Sequence, residues 1–206
     1  MKIRTLTQLE DFLDEELSWR KKDLTLSLSN YLSSNDKKKD FYLRILIFLI
    51  YSHWEGFIKK SSEVYLEYIS SCKVNLSSMQ SNFIALSLDN NDINNKKGIV
   101  DFILKDAIQY KFQFKKGQIN TKSNLNIEIL ENICNAIGVN KNQLNIDLVW
   151  IDERLLKYRN AIAHGEKVVA EQITFNLSEL KNKIQSNLDI YKTLISNAAC
   201  TKSYLN

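Results

Sequence analysis

Arg159 and His164 are the two side chains of this 206-residue sequence whose types and spacing point most directly to chemistry. They lie in the stretch Ile151-Asp-Glu-Arg-Leu-Leu-Lys-Tyr-Arg159-Asn160-Ala-Ile-Ala-His164-Gly165-Glu166. Leu148, Ile151, Leu155, Tyr158 and Ile162 recur at helical spacing, and Arg159, Asn160 and His164 lie just off that apolar stripe. Asn160 and His164 are four apart and share one face. Arg159 starts ~140° from His164, at ~100° per residue, a gap its long side chain can cross. Gly165 is expected to end the helix, which leaves His164 beside unsatisfied carbonyls where the helix dipole favours imidazolium. Such a set suits transesterification of an RNA phosphodiester. The ribose 2′-hydroxyl attacks the adjacent phosphorus, so a base must take its proton and an acid must protonate the departing 5′-oxygen. A fixed cation must hold the charge that builds on the phosphoryl oxygens. The planar guanidinium fork meets two phosphate oxygens at once, and imidazole titrates near neutrality. The expected chemistry uses no metal and no cofactor. One chain offers one histidine in this arrangement, so a homodimer with a composite site would supply two. By itself the spacing also fits an arginine in a surface salt bridge and an ordinary helix-capping histidine.

The residue inventory narrows the alternatives. There is no proline, and five isolated glycines cannot supply a Gly-x-Gly-x-x-Gly fingerprint or a Walker-type phosphate loop. Two histidines and three scattered cysteines leave no structural zinc pattern, and an odd cysteine count without spacing reads as reduced thiols. Met1 to Trp19 carries Glu10, Asp11, Asp14, Glu15 and Glu16 and lacks the apolar centre of a secretory signal. The longest apolar run, Ile45 to Tyr51, is far below the roughly 18 residues of a membrane span. A cytoplasmic protein with no membrane partner is expected. The net charge of +4 resides wholly in residues 72–125, with 8 lysines against 4 aspartates, while the rest of the chain balances. That segment suits either a polyanion partner or a solvated loop.

The elements that must position the arginine and histidine are helical. Thr7-Gln-Leu-Glu10 reads as a capping box, followed by a helix over about Gln8–Tyr31 that ends at Ser33-Ser34-Asn35-Asp36. A second helix is predicted over about Lys38–Ser70; its run Ile45–Tyr51 is apolar all round and is expected at the bundle centre. Asn90 to Gly98 reads as a solvated loop, Ile99–Tyr110 as a short helix, and Ser123–Ile137 as another closed by Gly138. Helices over about Asp147–His164 and Ser178–Ala198 follow, with Val168–Phe175 as a short extended segment. The whole of 1–206 reads as one all-α domain, a bundle of about four to six helices, with a lysine- and asparagine-rich elaboration at 72–124.

Arg159-Asn-Ala-Ile-Ala-His164-Gly at the end of a bundle helix resembles the signature of the HEPN superfamily, the higher eukaryotes and prokaryotes nucleotide-binding domains. Other blocks look like the small stand-alone, MAE-type nucleases of that superfamily. They are Arg4-Thr-Leu-x-x-Leu9-Glu10, Leu17-Ser-Trp19-Arg20-Lys21-Lys22, Tyr51-Ser-His53-Trp54-Glu55-Gly56-Phe57-Ile58-Lys59, Thr121-Lys-Ser-Asn-Leu-Asn126 and Ile151-Asp-Glu-x-Leu-Leu-x-x-Arg159-Asn160. The blocks come in the family's order and span nearly the whole chain, with the weakest match at 72–118. The resemblance implies a helical bundle, a homodimer and a metal-independent endoribonuclease of toxin–antitoxin or phage-defence loci, with an antitoxin or defence-system protein as partner. It carries Arg159 and His164 over as catalytic residues and Asn160 as their polar neighbour. The rival readings are a catalytically silent HEPN module that binds RNA, nucleotide or a partner protein, and a structural scaffold that uses neither residue.

Other side chains have two readings each. Glu55 and Lys59 are four apart, as in an intrahelical ion pair; an acid beside an apolar run needs a partner, so Glu55 is alternatively expected to contact and orient Arg159 or His164. Tyr158 is read as core, or as a donor to a phosphate. Arg20, Lys21 and Lys22 form either a solvated face or an RNA phosphate track. His53 is expected to be a packed core histidine, and Trp19, Trp54 and Trp150 core anchors.

Overall fold

A computed structural model describes residues 2–90, 95–106, 110–144 and 151–206. Leu9, Leu13, Leu17 and Leu24 line the buried side of α1 (Leu6–Ser33) at helical spacing. Its cap lies two residues earlier than Thr7–Glu10. The Thr5 side chain accepts from the Gln8 amide at 3.2 Å, and the Gln8 side chain accepts from the Arg4 amide at 2.9 Å. A two-residue break leads into α2 (Asp36–Ser71), whose 36 residues span about 54 Å at ~1.5 Å each.

α2 is the spine. It packs on α1, on α7 (Leu177–Cys200), on α5 (Ile127–Ile137) and on α6 (Lys157–Ala163), while α1 and α7 also pack on each other. Trp54, Tyr51, Phe57, Tyr65 and Tyr191 are fully buried among these helices. Each large apolar side chain so buried contributes about 1.5–3 kcal/mol. The Tyr191 hydroxyl meets Ser62 Oγ at 2.7 Å, so these two buried hydroxyls, one on α7 and one on α2, satisfy each other. Along the rim of α1 and α7, Lys21 pairs with Asp189 and Lys192 with Asp14, both at 2.5 Å.

The apolar run of α2 is not buried all round. Leu46, Ile47, Ile50 and Tyr51 are buried, whereas Phe48 is 42% exposed and Phe41, one heptad earlier, is 54% exposed. Among the described residues α2 is long and apolar enough to cross a membrane by length and composition, yet half of its most apolar window lies inside the bundle, as in a core helix.

Shorter elements complete the fold: α3 (Ser81–Asn90), which the sequence pattern does not announce, and α4 (Lys96–Asp101), which runs into a π-helical turn over Phe102–Asp106. α5 begins at its cap Asn126 rather than at Ser123 and ends at Gly138 in the left-handed conformation. A π-helical turn over Ile151–Leu156 precedes α6, and Ala170–Gln172 forms a 3-10 turn where an extended segment was expected. The expected helix start at Asp147, together with Leu148 and Trp150, lies outside the described residues, as do 91–94 of the expected loop and 107–109 of the expected short helix. Among the described residues the chain is all-α, with two isolated bridges, Asn75 with Lys111 and Met79 with Leu205.

Two truncations should separate packing from polar pairing. Trp54→Ala is expected to cost about 3–5 kcal/mol in chemical denaturation, because it empties the centre of the bundle. Tyr191→Phe should cost only about 1 kcal/mol, the net worth of one buried hydrogen bond.

Candidate functional site

The Arg159 guanidinium lies 4.5 Å above the centroid of the Tyr51 ring, so α6 hands its cation to the face of a residue on α2. Nη1 donates to Asn160 Oδ1 at 2.8 Å and Nη2 to the Ser123 carbonyl at 3.2 Å, while the buried Nε has no partner among the described residues. Asn160, the next residue along, therefore sets the orientation of the fork.

Ser123 is presented by a tight turn, Thr121–Leu125, in which Lys122 (φ 52°) and Ser123 (φ 54°) are both left-handed. Two successive non-glycine residues in that region are strained, and such geometry persists only where its surroundings hold it. Tyr51 and Glu55, one turn apart on α2, do so here. Thr121 Oγ1 donates to Glu55 Oε1 at 2.5 Å, and the Leu125 amide donates to the Tyr51 hydroxyl at 2.6 Å. Burial and the Glu55 carboxylate push the Tyr51 hydroxyl well above its ordinary pKa, so it remains protonated.

This corrects the expected role of Glu55. Its carboxylate accepts from Thr121 and makes no ion pair with Arg159, His164 or Lys59 among the described residues; it reaches the guanidinium through Tyr51 and the turn. Lys59 is half-buried on the same helix and unpaired with it. Among the described residues Arg159 likewise has no carboxylate partner, so its charge is balanced by a ring face, an amide oxygen and a carbonyl.

His164 caps the C-terminus of α6, its amide donating to the Asn160 carbonyl at 3.0 Å, and Gly165 (φ 81°) takes the left-handed position that ends the helix. The imidazole is exposed and makes no side-chain hydrogen bond among the described residues. The chain beyond it is tied to α2: Arg44 Nη1 donates to the Val168 carbonyl at 3.0 Å, and Asp40 accepts from the Ala170 amide at 2.9 Å. Tyr158 turns to this loop as well. Its hydroxyl donates to the Gln172 carbonyl at 2.7 Å and its ring meets Phe175, a packing role that occupies its proton.

The α1 cations are mostly spent. Arg20 is 6% exposed, donates to Glu16 at 2.5 Å and lies near the Trp19 and Phe57 rings; Lys21 is held by Asp189, and Lys22 alone of the three is exposed. A continuous phosphate track there does not form. His53 packs edge-on against Trp19, with Nε2 3.6 Å from the Asp23 carboxylate. Trp19 is 40% exposed rather than a core anchor, whereas Trp54 is buried. Tyr51, Thr121 and Ser123 were not assigned to the site from sequence. The signals available were the turn-forming Thr-Lys-Ser-Asn just before a helix cap and a tyrosine four residues before Glu55. Among the described residues no cluster of three or more His, Cys, Asp or Glu side chains is placed to hold a metal ion.

The structure is thus an all-α bundle in which the short helix α6 carries Arg159 and Asn160 and is closed by His164 and Gly165, the layout expected of a HEPN domain. A family model described as RiboL-PSP-HEPN matches residues 15–197, and the chain belongs to that family. No curated protein and no solved structure matches it.

Two measurements probe this region. Tyr51→Phe keeps the ring beneath Arg159 but strips the acceptor from the Leu125 amide, and is expected to cost about 1–3 kcal/mol in denaturation. Burial, reinforced by Arg20 and opposed by Asp23, lowers the His53 pKa below its ordinary 6.5. The unfolded chain therefore binds a proton that the folded chain does not, and stability should fall as pH drops through 6.5. His53→Phe should flatten that part of a stability-versus-pH profile.

Proposed function

We propose that this chain is a metal-independent endoribonuclease that cleaves RNA by 2′-hydroxyl transesterification at a composite homodimer site. The observation that carries the reading is a positioned guanidinium with no carboxylate counter-ion among the described residues, on the same short helix as an exposed imidazole. Arg159 holds the scissile phosphate with the donors that Asn160 and Ser123 leave unused, and meets the charge that develops on its oxygens. His164 takes the 2′-hydroxyl proton; the oxygen bonds to phosphorus and the P–O5′ bond breaks. The departing 5′-oxygen takes a proton from the second imidazole, supplied by the other copy. The products are a 2′,3′-cyclic phosphate and a 5′-hydroxyl. Exposure of His164 leaves it free to reach substrate, and capping by Gly165 fixes where its backbone stands.

Membership of the HEPN superfamily supports a nuclease or RNA-related role, and the motif blocks that resemble the MAE-type branch favour a cytoplasmic toxin or phage-defence effector restrained by an antitoxin or partner protein. DNA, lacking the 2′-hydroxyl, is not a substrate in this mechanism.

The test compares wild type, His164→Ala and Arg159→Lys on single-stranded RNA, with EDTA present, and scores growth arrest on induction. Cyclic-phosphate ends, indifference to EDTA, and a loss of roughly 10²- to 10⁴-fold in His164→Ala are expected. Arg159→Lys keeps the charge but loses the fork, and should lose cleavage as well. RNA binding without cleavage in the wild type would instead identify a silent module.

A further inference from the structure

A groove of about 760 Å³ opens where the start of the chain, the C-terminal half of α2 and the stretch around Phe114 meet. Lys2, Arg4, Lys60, Lys73 and Lys116 line it. Among the described residues none of these five side chains forms an ion pair. Glu63 and Glu67 are the opposing charges on its wall, which leaves a surplus of three positive charges. The floor is apolar: Ile3 and Val64 are buried, and Phe114 is half-buried. Like charges crowded on one rim repel each other, and a polyanion relieves that repulsion. Cations beside a partly exposed aromatic ring are the combination by which proteins hold single-stranded nucleic acid: the cations follow the phosphates and the ring, here Phe114, receives a base.

The groove and the Arg159 site draw on the same two segments of the chain, α2 and the stretch that leads to Ser123. Glu67 on α2 is twelve residues beyond Glu55, ~18 Å along the helix and ~120° around it. The other wall, Phe114 and Lys116, runs on through buried Ile119 to Thr121, which bonds Glu55, and to Ser123, which bonds Arg159. Two of the five cations, Lys73 and Lys116, come from the segment that holds the chain's whole charge surplus.

We infer that this groove binds the backbone of single-stranded RNA, and that it sets affinity while leaving the chemistry to Arg159 and His164. The inference rests on the RNA-directed reading of the site, and its test separates the two. Binding of a short single-stranded RNA is measured against salt in the His164→Ala background, so that the RNA stays intact. Lys60→Gln with Lys116→Gln should weaken binding and flatten the log–log salt dependence by about 0.7 for each phosphate that is no longer neutralised. Lys181→Gln, on α7 away from the groove, should leave both unchanged. In the otherwise wild-type protein the double substitution should raise KM and spare kcat. An unchanged affinity and salt slope in the double variant would overturn the inference, even if cleavage by the wild type is observed. Groove-dependent binding by a protein that never cleaves would sustain it while removing the nuclease reading.

Discussion

Burial of α2 on several sides at once is the constraint on which the rest of the structure depends. Because it is one unbroken helix of 36 residues, residues one or two turns apart on it hold a fixed distance and angle, and anything that packs against it inherits that registration. Trp54, Phe57 and Tyr65 are buried in the bundle that α1 and α7 complete around it. On another side, Tyr51 and Glu55 secure the Thr121–Leu125 turn, and Asp40 and Arg44 secure the loop that follows His164. The site is therefore assembled from segments as much as 130 residues apart through their common attachment to one rod.

Two arginines that touch this rod, Arg20 and Arg159, illustrate how surroundings separate structural from functional charge. Arg20 is buried beside two aromatic rings and donates to Glu16, so its charge is neutralised inside the fold. Arg159 also rests on an aromatic ring, but its hydrogen bonds go to an amide oxygen and a backbone carbonyl. Neutral partners orient a guanidinium without cancelling its field, which is what an anionic ligand or a developing negative charge requires. The nearby Glu55 carboxylate would cancel it, and is instead occupied by Thr121. The strained turn at Lys122 and Ser123 is part of the same arrangement, since it aims the Ser123 carbonyl at Nη2.

Local signals carried far along the chain. The apolar spacing of α1, α2 and α7 placed their ends within a few residues, and Gly138 and Gly165 stop their helices as glycines in the left-handed region do. The failures came where two local patterns competed or where distant chain segments met. Thr5–Gln8 won over Thr7–Glu10 as the capping pair, close by and equally regular in sequence. Lys21 looked available until α7 brought Asp189 to it, 168 residues later. Ser123 read as helix because its neighbours suit one, yet the hydrogen bonds to Tyr51 and Glu55 hold that stretch as a turn.

By itself the sequence determined the helical class, the punctuation of its helices and the pairing of Arg159 with His164 on one short helix. Those features depend on residues within a few positions of one another, where periodicity and capping operate. Apart from the Glu16–Arg20 pair, which is four residues apart on α1, tertiary structure decided which charges remain free. Arg20 was buried against Phe57 of α2, Lys21 was neutralised, Glu55 was turned to Thr121, and Arg159 was set on Tyr51 with neutral hydrogen-bond partners. Whether a charge is spent or available depends on what stands within about 4 Å of it, and each of these groups meets a neighbour from another helix or from a distant turn.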